Sequence, residues 1–244
     1  MRTARRVRRL IVGFIIGVVL LVTLLVTAFG SGNTGPYRSA RPPNLRLLPV
    51  GPPQVKLVAA QSSLADGLQL PIAETRVTAI AYHASGDGAL ALDPVGRQAN
   101  QGVFTRLAHK LFRQGSSGLP YYIVGGEDGP STSALDIGAA PGTDVYAPVD
   151  GMVVGVSPFV LNGKQFGARI QIQPTKAPSL VVVLTQLKPD PALTVGSTLT
   201  ARTSKVGTVV DLSGVEKQSL ARYTQDAGNH VTIQLFPAAT LTLH

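Results

Sequence analysis

Four histidines are the chain's whole stock of imidazole: His83, His109, His230 and His244. Beside them stand 13 acidic residues and no cysteine in 244 positions. The lack of Cys excludes disulfides, thiolate zinc sites, iron–sulfur clusters and cysteine nucleophiles together. What remains is carboxylate and imidazole chemistry, either general acid–base work or a metal held by His and Asp. His109 falls in a predicted helix, and His244 is the last residue, where fraying is expected. His83 closes a predicted strand near Asp87, and His230 precedes another. No Gly-x-x-x-x-Gly-Lys-Ser/Thr, Rossmann fingerprint or Gly-x-Ser-x-Gly is present, so nucleotide binding and the nucleophile elbow have no support.

The elements that must position these side chains are mostly strands. From Ser133 to Leu243, short apolar or alternating runs recur at Val145–Ala147, Met152–Val156, Ala168–Gln173, Leu180–Leu184, Lys205–Val210 and Val231–Leu235, most of them separated by Gly, Pro, Asn or Asp. Ala168–Gln173 and Val231–Leu235 alternate with period two, the mark of one buried and one wet face. Such spacing predicts a mainly β sandwich or barrel over residues 130–244. Val215–Tyr223 reads as a charged insertion with helical character. Residues 54–129 read as a small α+β region, with strands at Arg76–His83 and Tyr121–Val124. Its helix, Gly102–Arg113, sets Val103, Phe104, Leu107, Leu111 and Phe112 on one side and Arg106, Lys110 and Arg113 on the other.

Upstream the composition changes. Residues 31–53 are rich in Gly, Pro, Ser and Asn and read as an extended stalk. Leu10–Phe29 is twenty residues without a charge, which at about 1.5 Å per residue makes a helix of roughly 30 Å, the thickness of a bilayer core. A secretory leader has a shorter apolar stretch, so residues 10–30 are expected to be a retained transmembrane helix. Residues 1–9 form a basic tail: Arg2, Arg5, Arg6, Arg8 and Arg9 supply five of the net +9 charges. Placed beside a membrane segment, they predict a cytoplasmic N-terminus and an exported C-terminal domain, and they remove the case for nucleic acid.

One stretch is distinctive: Leu135-Asp136-Ile137-Gly138-Ala139-Ala140-Pro141-Gly142-Thr143-Asp144-Val145-Tyr146-Ala147-Pro148-Val149-Asp150-Gly151-Met152-Val153. It resembles the signature of the lysostaphin-type (LytM-like) cell-wall metallopeptidases, whose β-domain carries the duplicated hybrid motif. Leu184-Thr185-Gln186-Leu187 sits where that family has Tyr-Ala-His-Leu. Leu193-Thr194-Val195-Gly196 is similar to its Val-x-x-Gly turn, and Val206-Gly207-Thr208-Val209 to its Ile-Gly strand. Gly228-Asn229-His230-Val231-Thr232 takes the place of Pro-His-Leu-His. The resemblance implies metal positions at Thr132, Asp136 and Thr232, and catalytic positions at Gln186 and His230.

Only Asp136 and His230 keep the chemistry the family uses. A catalytic zinc needs three protein ligands and a bound water, and neutral hydroxyls are poor ligands. Gln186 hydrogen-bonds but does not titrate near neutral pH, so the acid–base partner is missing too. Asp136 and His230 are then remnants, the first expected to fix a turn and the second to be a partly buried polar residue. His83 is the possible substitute ligand. The expectation is a membrane-anchored, single-pass, non-catalytic domain without a cofactor, which binds peptidoglycan or regulates a cell-wall hydrolase such as an amidase. Two or more imidazoles in the aligned pocket would count against it. The alternatives are an active zinc endopeptidase with altered ligands and a membrane-fusion adaptor. The latter's lipoyl-like domain has an Ala-Pro-x-x-Gly-x-Val similar to Ala147–Val153, but its usual helical hairpin has no counterpart here, and Asp150-Gly151 replaces the turn Lys that lipoylation needs.

Overall fold

The computed structural model describes residues 57–61, 64–100, 119–125 and 128–240. Fourteen strands follow in chain order. The first six are β1 (Leu57–Gln61), β2 (Leu64–Gln69), β3 (Ile80–His83), β4 (Asp93–Pro94), β5 (Arg97–Gln98) and β6 (Pro120–Ile123). The rest are β7 (Ala134–Gly138), β8 (Asp144–Tyr146), β9 (Gly151–Leu161), β10 (Lys164–Pro174), β11 (Leu180–Pro189), β12 (Thr198–Leu199), β13 (Lys205–Val209) and β14 (His230–Pro237). Among the described residues, helix is limited to three 3₁₀ turns, at Glu74–Arg76, Ser219–Arg222 and Ala238–Thr240. The protein is mainly β, as its turn-punctuated apolar runs predict.

Eleven strands form one mixed sheet in the order β12-β9-β10-β11-β14-β7-β3-β6-β5, with β13 paired to β11 and β8. Strands β2-β1-β4 form a second sheet of three. Each apolar run predicted beyond Ser133 is a strand here, although β9, β10 and β11 extend further than hydropathy alone suggests. Paired neighbours supply backbone partners to residues that are not themselves apolar, and so lengthen the strands. Arg76–His83 is strand only from Ile80. Before that point the chain makes the Glu74–Arg76 turn, and Thr78 N–H then donates to the Gly138 carbonyl. Val215–Tyr223 contains the Ser219–Arg222 turn rather than a longer helix. The predicted transmembrane helix at Leu10–Phe29, the stalk and the Gly102–Arg113 helix lie outside the described residues. No helix among the described residues is long and apolar enough to cross a membrane.

The core explains how the site is held. On β14, Val231, Ile233 and Leu235 enter the main apolar cluster with Leu135 and Ile137 of β7, Leu184 of β11 and Ile170 and Ile172 of β10. The alternate positions His230, Thr232 and Gln234 are displayed on the other face, as the period of a strand requires. All three are buried nonetheless, and the loop after β3 reaches this face, where Asp87 accepts from Gln234. The loop preceding β14 ends at Gly228, whose φ is +75°. A Cβ there would run into the backbone of Ala221 and Leu220. The same residue's carbonyl accepts the Nδ1–H of His230 at 2.8 Å, so this turn fixes both the strand's entry and the imbedded ring.

Gly228→Ala combines left-handed strain with overpacking and is expected to cost about 2–4 kcal/mol. For a domain of this size that lowers the melting temperature by about 5–15 °C, measurable by circular dichroism. An unchanged melting temperature would mean that this loop is not packed as described.

Candidate functional site

The site is built on the polar face of three adjacent strands, β3, β7 and β14. Asp136 stands in the middle of β7, directly opposite Thr232 of β14 and Ala81 of β3. His230 pairs with Gly138 and His83 with Ala134, the positions two residues either side of Asp136. Diagonal neighbours of this kind lie within reach of long side chains. Because Ala81, Ala134 and Gly138 are small, both imidazoles can lean over them to the carboxylate from opposite ends.

The carboxylate is 2% exposed and its two oxygens are engaged separately. Thr232 Oγ1 donates to Oδ1 at 2.8 Å, and His230 Nε2 lies 3.6 Å from the same oxygen. His83 Nε2 lies 3.3 Å from Oδ2. The far nitrogen of each ring faces a main-chain carbonyl, His83 Nδ1 with Ala84 and His230 Nδ1 with Gly228, both at 2.8 Å. A carbonyl only accepts, so each Nδ1 carries a proton. The geometry is that of a buried carboxylate with one imidazole Nε2 directed at each of its oxygens.

The protonation of Asp136 follows from opposing influences. Burial is the largest and pushes its pKa up, but the charge of His230, the bond and charge of His83 and the Thr232 hydroxyl together outweigh it. The carboxyl is held below its ordinary value, so it is ionised in the folded chain.

Gln186 completes the cluster from β11. Its Nε2 approaches Thr232 Oγ1 at 3.4 Å, and its Oε1 is buried without a hydrogen-bond partner. Its φ is +64°, and the β10–β11 register slips at this point, with Ala168 opposite Leu187 but Ile170 opposite Leu184. A bulge of this kind re-aims a side chain. Here it brings Gln186 over the neighbouring strand.

Of the residues singled out in the sequence, Asp136, His230, Thr232, Gln186 and His83 come together, whereas Thr132 does not. Thr132 stays in the turn before β7, where its carbonyl accepts the Leu92 N–H, and among the described residues it makes no hydrogen bond to the cluster. A supporting network was not legible beforehand. Ser85 Oγ donates to Asp87 Oδ1 at 2.6 Å, Ser133 Oγ accepts the Ser85 N–H, and Gln234 Nε2 donates to Asp87 Oδ2 at 2.7 Å. These bonds tie the loop after His83 to β7 and β14. Its only signal was the polar period His230, Thr232, Gln234 and the nearness of Asp87 to His83.

The ligand positions implied by the resemblance do not fit a zinc ion. Two of the three are threonines, and the Thr232 hydroxyl is already spent on Asp136. His83 and His230 both bring Nε2 to the Asp136 carboxylate, at 3.3 and 3.6 Å, so the pocket does hold the two imidazoles that were expected to count against a non-catalytic domain. Among the described residues no group of three or more His, Cys, Asp or Glu is arranged to hold a metal.

No family model matches the chain, and no curated protein matches it. Several solved structures do. Lysostaphin matches at 15% identity and a TM-score of 0.33, over 45% of this chain and 38% of its own. An M23 metalloprotease, pseudoalterin from the deep sea, matches at 14% identity and a TM-score of 0.34, over 70% of each chain. A chain of the SpoIIQ–SpoIIIAH pore-forming complex matches at 19% identity and a TM-score of 0.29, over 42% of this chain and 56% of its own. This chain thus spans well under two thirds of lysostaphin. Lysostaphin and an M23 enzyme stand among the structural neighbours of a chain whose motif resembles that family.

Asp136 ties ionisation to folding. A carboxyl whose pKa is lowered on folding contributes stability above its unfolded value, about 3.9, and that contribution is lost as pH falls through the lower, folded value. Asp136→Asn removes one partner from the bracket and is expected to cost about 3–5 kcal/mol at pH 7. It should also flatten the acid limb of a stability–pH curve below about pH 4. Parallel acid limbs for the two proteins would show that Asp136 is not the group responsible.

Proposed function

We propose that residues 130–244 form a non-catalytic lysostaphin-type domain with the duplicated hybrid motif. It stands outside the cell on a membrane anchor at Leu10–Phe29, where it binds peptidoglycan or regulates a cell-wall hydrolase. One observation carries this reading: two of the three implied ligand positions are threonines, the Thr232 hydroxyl donates to Asp136, and a carboxamide, Gln186, approaches that same hydroxyl at the position the resemblance gives to the acid–base imidazole. A threonine hydroxyl and a carboxamide neither ionise water nor shuttle its proton near neutral pH. An extended peptide would then bind along a sheet edge as an added strand. The extracytoplasmic location rests on the uncharged span and its five flanking arginines.

The second reading, a zinc endopeptidase with altered ligands, has one observation in its favour. Both rings near Asp136 hold Nδ1 to a main-chain carbonyl and turn Nε2 inward, the orientation that supporting carbonyls give to metal-binding histidines. The readings separate on metal content. Purified full chain in detergent, equilibrated with zinc and desalted, is expected to retain far less than one equivalent. Installing an imidazole by Thr232→His, beside His83, Asp136 and His230, is expected to raise the content towards one. Stoichiometric zinc in the unmodified chain, lost on His83→Ala, would overturn the non-catalytic reading. Retention of the chain on intact peptidoglycan or with a wall amidase tests the binding role, and retention by neither removes it.

A further inference from the structure

The β9–β10 hairpin runs on past the rest of its sheet. Strand β10 meets β11 no further out than Ala168, opposite Leu187, and β9 meets β12 only at Gly151 and Met152. Phe159–Leu161 and Lys164–Gly167 therefore pair with each other alone. The turn between them is Asn162-Gly163, with φ +51° and +76°. A two-stranded ribbon has little stability of its own in water unless an apolar surface covers it.

Its side chains are of the kind that seeks such cover. Phe159, Val160, Leu161 and Phe166 belong to none of the apolar clusters of the described residues. Val160 is 55% exposed, and Phe159, Leu161 and Phe166 are half-buried. Of the described phenylalanines, only Phe236 lies in a core. A single apolar side chain on a surface needs no explanation, whereas four on one tip mark a contact surface.

Charge narrows what the tip can touch. From Gly151 to Pro189 there is no acidic residue, while Lys164, Arg169, Lys176 and Lys188 are cationic. Lys176 is bound to Asp66 at the opposite end of β10. Lys164 Nζ lies 5.4 Å from the centre of the Phe166 ring, so a cation and an aromatic face share the tip. Arg169 and Lys188 follow directly on the Ala168–Leu187 pair at its base. Asp190, the first carboxylate beyond them, already accepts the Ala192 N–H at 3.0 Å.

These residues disfavour two occupants. A second copy pairing edge to edge would bring like charges together, and an added strand would miss the N–H that Pro158 lacks. The boundary between acyl chains and anionic headgroups suits both features. Apolar side chains enter it, and Lys164 extends its amine to the phosphates. We propose that the Phe159–Phe166 tip docks on a bilayer surface rich in anionic lipid. The proposal takes the nearby bilayer from the anchor reading of Leu10–Phe29, and no residue of the Asp136 cluster takes part.

The chain has no cysteine, so Val160→Cys provides a single site for an environment-sensitive fluorophore. The labelled full chain is reconstituted into phosphatidylcholine vesicles with or without phosphatidylglycerol, each with and without doxyl-labelled lipid. In the anionic vesicles the emission at position 160 is expected to shift to the blue and to be quenched by the doxyl group. A label at Thr175→Cys, in an exposed turn, is expected to do neither. Lys164→Glu should retain the melting temperature and lower the quenched fraction at least about fivefold. Leu161→Ser is a second variant that should lose quenching. No quenching at position 160, equal quenching at position 175, or quenching unchanged without phosphatidylglycerol or in both variants would overturn the proposal. So would a blue shift that ignores doxyl lipid and fades as the chain is diluted in the bilayer, which would mark a second copy. Flotation with neutral vesicles reports the anchor separately. A chain that fails to float there, yet is quenched at position 160 on anionic vesicles, loses the anchor reading and keeps this one.

Discussion

The burial of one ionised carboxylate is the constraint around which the described structure is arranged. Taking Asp136 out of water costs free energy that must be offset at the same spot by charge and hydrogen bonds. Three strands that are distant in sequence each supply part of the offset: β3 brings His83, β14 brings His230 and Thr232, and β7 carries the carboxylate itself. The pairing of these strands and the satisfaction of Asp136 are therefore mutually dependent. Small residues at positions 81, 134 and 138 leave the room in which both rings reach it.

Asp136 Oδ1 accepts from the Thr232 hydroxyl and Oδ2 faces His83 Nε2, so the one carboxylate links β7 to β14 and to β3. Nearby, Gln186 sits on a bulge in the left-handed region with an unmet carboxamide oxygen. Among the described residues, positive φ and an unmet buried polar atom coincide at Gln186 and at Arg202. Departures of that kind are where binding chemistry is usually housed.

Much of the β-domain was legible because strand period and turn residues are local properties. Val231, Ile233 and Leu235 alternate with His230, Thr232 and Gln234, and that pattern alone separates a core face from a polar one. Arg76–His83 was read as one strand and β3 takes only Ile80–His83 of it, with Ile80 and Tyr82 in the main apolar cluster and Ala81 in a smaller one with Tyr122, Leu220 and Tyr223. The very short strands β4, β5 and β12 have too few residues to show any period.

By itself the sequence determined the residue types available, the absence of thiol chemistry, the uncharged span with its basic flank, and the motif around Asp136 with threonine and glutamine in place of imidazole. These depend on composition and near-neighbour spacing. Tertiary structure alone decided that His83, 53 positions before Asp136, joins it while Thr132, only four before it, does not. Contact across a sheet is set by which strands pair and in what register, and the β3–β7 register, with His83 opposite Ala134, is a property of the folded chain rather than of either segment.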